Sequence, residues 1–249
     1  GNDTGAYYIQ ARAPGGGSGN GGSLTVLPTA ASSVAQQIIV GGAGSDSVQG
    51  FSNWAISEAN GGRASSAGMG DFIWSGVEAI GGTPGRDQVV VSATGSVDTI
   101  NTGADSDVVI IAGAVDTVMT GDNDDFVLLN GEGQTALVDG GNGIDSLSGL
   151  PQATVTGFNR GTASNVAQWE SIENLQGTAG ADSFTVAPEG QLDGRIDAGA
   201  GDDRVLISGT VTSVSGGDND DVITVDGGTV SLLEGNNGDD VFLVQGGMV

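Results

Sequence analysis

Apolar and polar residues alternate over short stretches of this chain, as in Gly209-Thr-Val-Thr-Ser-Val214, or run together, as in Asp107-Val-Val-Ile-Ile111. Alternation at period two places every second side chain on one face of an extended strand. The 3.6-residue spacing of an amphipathic helix is absent. Between the stretches stand Gly, Asn and Asp, which favour turns and disfavour helices. The pattern predicts many short strands joined by tight turns.

The turns repeat. Aligned on one aspartate they give nine copies: Asp46, Asp87, Asp107, Asp125, Asp145, Asp182, Asp203, Asp221 and Asp240. Successive copies lie 41, 20, 18, 20, 37, 21, 18 and 19 residues apart. Seven residues before each Asp is an apolar residue: Ile39, Ile80, Ile100, Val118, Val138, Leu175, Ile196, Val214 and Leu233. Two residues after it is another: Val48, Val89, Val109, Val127, Leu147, Phe184, Val205, Ile223 and Phe242. Two residues before it stands Gly, Asn or Asp, the types that tolerate a left-handed backbone, so this position is expected to need positive φ. Three independent rules obeyed by nine copies define a repeat protein.

A period of about 18–20 residues holds two strands and two turns, one rung of a stack with the sheet spacing of about 4.8 Å. The expected fold is all-β, a parallel β-solenoid (β-helix or β-roll). A longer period overlies the short one. Trp74 to Asp87 aligns with Trp169 to Asp182, with Glu78 matching Glu173 and Thr83 matching Thr178 at an offset of 95. Residues 41–249 are therefore expected to form the solenoid, as a partial unit and then two tandem units of about 95 residues that split near residue 149. Each long gap between aspartates has room for two rungs, one lacking its Asp. Residues 1–40 read as an irregular N-terminal segment, with strand-like runs at Tyr7–Ile9 and Leu24–Leu27 around a Gly-rich loop at Gly15–Gly22. That segment could be an incomplete preceding unit.

Composition narrows the partners. There are 31 acidic residues against 6 basic ones, all Arg, for a net charge of −25. Nucleic acid and anionic membranes are repelled by such a chain, and cations are its natural partner. His and Cys are absent, which removes the common zinc sites and the Ser-His and Cys-His dyads. No apolar run approaches the roughly 20 residues of a membrane helix, and no signal peptide is evident. The chain opens on Gly1 and stops directly after a strand-like run, so a segment of something longer is expected.

Gly41-Gly-Ala-Gly-Ser-Asp-Ser-Val48 and Gly140-Gly-Asn-Gly-Ile-Asp-Ser-Leu147 fit the pattern G-G-x-G-x-D-x-U in full, where U is apolar. Gly216–Ile223 and Ala198–Val205 fit it with one substitution each. These turns resemble the haemolysin-type calcium-binding repeats of the RTX family. The resemblance implies Ca²⁺ held between rungs by the nine aspartates and turn carbonyls. Hard oxygen donors at variable geometry suit that ion. Carboxylates stacked about 4.8 Å apart repel by roughly 1 kcal/mol per pair even in bulk water, which favours a cation between them. Only one turn per rung carries the motif, so one row on one edge is expected. The alternative is a metal-free solenoid in which the aspartates make turn hydrogen bonds.

The phrase Trp169–Val186 is similar to repeats of large secreted bacterial exoproteins, including filamentous adhesins of the two-partner secretion type. That likeness implies a calcium-stabilised structural or adhesive segment, extracellular or on the bacterial surface, serving attachment and biofilm formation. Its partners would be a surface or matrix polysaccharide or a host or bacterial receptor. The chain is not expected to be an enzyme, and no catalytic or cofactor-binding residue is assigned. A polysaccharide-binding or polysaccharide-cleaving β-helix is the rival. Trp54, Trp74 and Trp169 could stack on sugar, although Trp74 and Trp169 more simply fill a wider core. Glu78 and Glu173 lie too many rungs apart to act as a catalytic pair.

Overall fold

The computed structural model describes residues 37–249 except 43, 68 and 69, together with the backbone of strands Tyr7–Gln10 and Thr25–Val26. The expected Gly-rich loop at Gly15–Gly22 lies outside the described residues. Within them there is no helix. Short strands alternate between two sheets of thirteen strands each, almost all parallel to their neighbours. The result is a β-solenoid, as the period-two pattern and the 18–20-residue repeat require. Tyr7–Gln10 pairs with Gln37–Val40, and Thr25–Val26 with Ser47–Gln49, so the stack includes strands before residue 41.

In the first sheet Gln88–Val91, Val108–Ile111 and Phe126–Leu129 stack in register, with Val89, Val109 and Val127 in one column. In the second sheet Ser96–Ala104, Ala114–Asp122 and Gln134–Asn142 do the same through Ile100, Val118 and Val138. Each column is buried, because its residues point between the sheets. Ser96–Ala104 buries Val97 and Ile100, which are three apart, where strict alternation would bury every second residue. The strand therefore bends once, and the bend supplies a corner of the coil.

The two long gaps hold antiparallel meanders rather than an extra rung. Asn53–Glu58, Gly61–Ser65 and Phe72–Ser75 lie side by side in the first sheet. Gln152–Gly157, Arg160–Ala163 and Val166–Glu170 do so in the second. The tips turn at Asn60 (φ 50°) and Asn159 (φ 44°). A Cβ on Gly62 would lie 2.1 Å from the Ala55 carbonyl, and one on Gly161 2.0 Å from that of Thr154, so the facing strands close only over glycine. Trp74 and Trp169 fill the interior beside these meanders with no exposed surface, and Trp54 is 2% exposed. None of the three indoles can stack on a sugar.

Candidate functional site: the aspartate ladders

The turn before each repeat aspartate depends on left-handed backbone. Two residues before the Asp, φ is positive at Gly44, Asp105, Asn123, Gly143, Gly201, Asn219 and Gly238. Gly85 and Gly180 are the exceptions, and there a threonine shapes the turn instead. This geometry folds the carboxylate inward. Asp46, Asp87, Asp107, Asp125, Asp145, Asp182, Asp203 and Asp221 are 1–3% exposed, whereas Asp240 in the last coil is half-buried.

Buried carboxylates need donors. Six of the aspartate N–H groups donate to Oδ1 of the aspartate one coil later, the first three being Asp87 to Asp107 at 2.7 Å, Asp107 to Asp125 at 2.7 Å and Asp125 to Asp145 at 2.8 Å. The second series runs from Asp182 to Asp203 at 2.7 Å, Asp203 to Asp221 at 2.9 Å and Asp221 to Asp240 at 3.0 Å. Glutamates close two runs. Asp46 N–H donates to Glu78 Oε2 and Asp145 N–H to Glu173 Oε2, both at 2.8 Å. The other oxygen of each glutamate accepts from a hairpin-tip amide, Asn60 Nδ2 at 3.1 Å or Asn159 Nδ2 at 2.7 Å. Glu78 and Glu173 thus tie the meanders to the ladders, in keeping with a structural role.

The nine aspartates do not share one edge. Asp46, Asp182, Asp203, Asp221 and Asp240 sit where the chain passes from the first sheet to the second. Asp87, Asp107, Asp125 and Asp145 sit where it passes from the second to the first. The expected single row is corrected to rows on two opposite edges. The sequence difference between aspartates fixes how much chain separates them, and leaves open how many times that chain crosses between the sheets.

The second carboxylate oxygen separates the aspartates into two kinds. Oδ2 of Asp46 accepts from Gly42 N–H at 2.5 Å. Oδ2 of Asp87 and Asp182 accepts from the N–H of Thr83 and Thr178, both at 2.6 Å. The same threonine hydroxyls donate to Oδ1, at 3.0 and 2.8 Å. By contrast, Oδ2 of Asp107, Asp125, Asp145, Asp203 and Asp221 is buried with no hydrogen-bond donor. The hydroxyls of Thr102 and Thr120, near the first two, give their single protons to carbonyls of the next coil. Burial pushes the carboxyls of Asp87, Asp125 and Asp203 up to about 6. It pushes Asp145 to about 7, with the charges of Asp125 and Glu173 adding to the effect. Asp107, Asp182 and Asp221 are raised for the same reason.

Does this arrangement fit calcium? The donor chemistry does: a carboxylate oxygen without a partner recurs at five coils, and carbonyls crowd the same turns. A Cβ on Gly216 would lie 2.2 Å from Asp221 Oδ2 and 2.9 Å from the Gly235 carbonyl. The fit fails at Asp87 and Asp182, whose oxygens are already served by threonine. Among the described residues no three acidic side chains converge on one point, so any ion would rely on backbone oxygens as well.

Outside the coil a second set of contacts runs along the edges. Asn142 Nδ2 donates to Asp122 Oδ1 and Asn237 Nδ2 to Asp218 Oδ1, each at 2.8 Å. Ile144 N–H donates to Asp124 and Asp239 N–H to Asp220, also at 2.8 Å. Sequence reasoning did not single out these side chains, nor Asn60, Asn159 or the ladder role of the two threonines. Asn60-Gly61 carries a hairpin signal, and the shared Gly-Thr-x-Gly-x-Asp of residues 82–87 and 177–182 marks the threonine turns. Compared with protein-family models the chain matches none, and a comparison with curated proteins finds no match.

Proposed function

We propose that this chain is a structural segment, a stalk or adhesive module of a large extracellular bacterial protein. The observation behind this reading is where the repeated residues go. The aspartates, the turn glycines and the apolar positions on either side all join one coil to the next, so repetition builds length. A net charge of −25 keeps such a rod soluble and apart from nucleic acid and anionic lipid. Attachment to cells or matrix polysaccharide, and a part in biofilm formation, belong to the same proposal. Cells displaying the chain should adhere to a surface or to one another more than bare cells do. Equal adhesion would remove the adhesive role. Small-angle scattering tests the stalk: an elongated particle supports it and a compact one overturns it.

A second reading, calcium stabilisation, is favoured by the five carboxylate oxygens that lack a donor. Asp107, Asp125, Asp145, Asp203 and Asp221 would hold the ion together with turn carbonyls. Bound calcium would supply positive charge between stacked carboxylates and couple ion concentration to folding.

A further inference from the structure

The ladder changes edge twice, and each change coincides with a short spacing. Regular coils place successive aspartates 18–21 residues apart, with one strand in each sheet between them. Glu78 takes the ladder position after Asp46, and Glu173 takes it after Asp145. From each glutamate the next aspartate is only nine residues away, at Asp87 and Asp182. Those nine residues contain a single short strand, Ala79–Gly81 or Asn174–Gln176. Half a coil has been added, and the turn that follows falls on the other edge.

The core registers the same change. In the first sheet, Leu147 stands two residues after its aspartate and stacks on Leu175, which stands seven before the next one. Leu175 then stacks on Ile196, again seven before its aspartate. One buried column thus changes from one repeat position to the other at Asn174–Gln176. Both positions are apolar and point inward, so the swap leaves no polar residue in the core. The long bent strands move with it, from the second sheet (Ser96–Ala104) to the first (Thr210–Asp218).

We infer that the ten-residue segments Glu78–Asp87 and Glu173–Asp182 are phase switches, each turning the coil pattern half a revolution about the solenoid axis. Consecutive 95-residue units then present equivalent surfaces to opposite sides, and the rod is two-sided. The meanders do not cause the switch, because their three strands stay in one sheet and count as one crossing. Their hairpin tips lock onto the switch glutamate through Asn60 and Asn159. The inference concerns coil geometry and stands apart from the stalk and calcium readings.

The absence of Cys makes a direct test simple. Ser45, Asp124 and Asp220 are exposed and each precedes a ladder aspartate. Spin labels are placed pairwise at Ser45→Cys, Asp124→Cys and Asp220→Cys in the full chain, and the three distances are read by pulsed dipolar spectroscopy. Ser45 and Asp220 lie at turns leading into strands ten places apart in the second sheet, roughly 48 Å at the usual strand spacing. On a two-sided rod, the Ser45–Asp124 and Asp124–Asp220 distances sum to more than the Ser45–Asp220 distance by well over one strand spacing. A sum equal to that distance would put all three on one edge and overturn the inference. A variant lacking residues 152–165, which removes the second hairpin and keeps the half-coil, separates the causes. The Asp124 and Asp220 labels should stay on opposite edges. Their arrival on one edge would assign the switch to the hairpin. Failure of that variant to fold leaves the three distances in the intact chain as the deciding result.

Discussion

Asp182 and Asp203 are neighbours on one ladder, one coil apart, and their carboxylates are treated differently. Asp182 receives the Thr178 N–H on Oδ2 and the Thr178 hydroxyl on Oδ1. Asp203 has only the Asp182 N–H on Oδ1, and its Oδ2 is buried without a donor. The first coil of each unit is thus closed by protein atoms alone, while the later coils leave an acceptor open. A proton or a cation can complete those; at Asp87 and Asp182 threonine donors already serve both oxygens, although burial still raises their carboxyls.

Calcium gives the sharpest contrast. If the ion binds only the folded chain, free ion at 100 times its dissociation constant adds about 2.7 kcal/mol. For a chain of this size that raises Tm by about 5–10 °C. The shift should shrink in Asp125→Asn and Asp203→Asn and persist in Asp182→Asn. Identical melting in calcium and in chelator would leave the metal-free solenoid.

Acidity comes next. Folded carboxyls of Asp87, Asp125, Asp145 and Asp203 titrate near 6 to 7, above the roughly 3.9 of an unfolded aspartate. The folded chain therefore holds more protons between these limits, and the stability this confers is lost as pH rises through 6 to 7. In chelator, Tm should be higher at pH 5 than at pH 8. A Tm that rises over that interval would mean the carboxylates are better served than the open Oδ2 atoms indicate.

Amide substitution separates the two aspartate types one at a time. Asp182→Asn sets a side-chain NH₂ or a repositioned oxygen against the Thr178 donors and should cost about 1–3 kcal/mol. Asp203→Asn keeps an oxygen for the Asp182 N–H and removes a buried charge, so in chelator it should change stability by less than about 1 kcal/mol. Equal losses in denaturant melts would erase the distinction. Thr178→Val removes the hydroxyl bonds to Asp182 and Gly180 and should cost about 1 kcal/mol, between the two amide substitutions.

Much of the fold was legible because each coil must satisfy the same constraints. The apolar residues seven before and two after the aspartate are buried at almost every coil, and the left-handed position two before it holds in seven turns of nine. The exceptions are physical. Phe242 is 44% exposed because its strand lies at the end of the stack. Gly85 and Gly180 lie in the threonine turns, which close without positive φ. The meanders were hidden because a gap of 37 or 41 residues fits two rungs or a hairpin equally well, and Asn159-Arg160 carries no glycine signal. Edge position was hidden because a core needs apolar residues on both sheets, so a half-coil shift leaves the hydrophobic pattern intact. The aspartates were legible as a repeat and, in the metal-free alternative, as turn hydrogen-bonding residues. That six of them accept from the N–H of the aspartate one coil earlier was not, since spacing does not tell which way a side chain folds in its turn.

The central claim is that buried aspartate-to-aspartate hydrogen bonds join the coils into one cooperative rod. Amide hydrogen exchange in chelator reads those bonds directly. The N–H groups of Asp107, Asp125, Asp182 and Asp203 should exchange only on global unfolding, with the protection of the core strand amides. Exchange as fast as that of exposed turn amides would contradict the account.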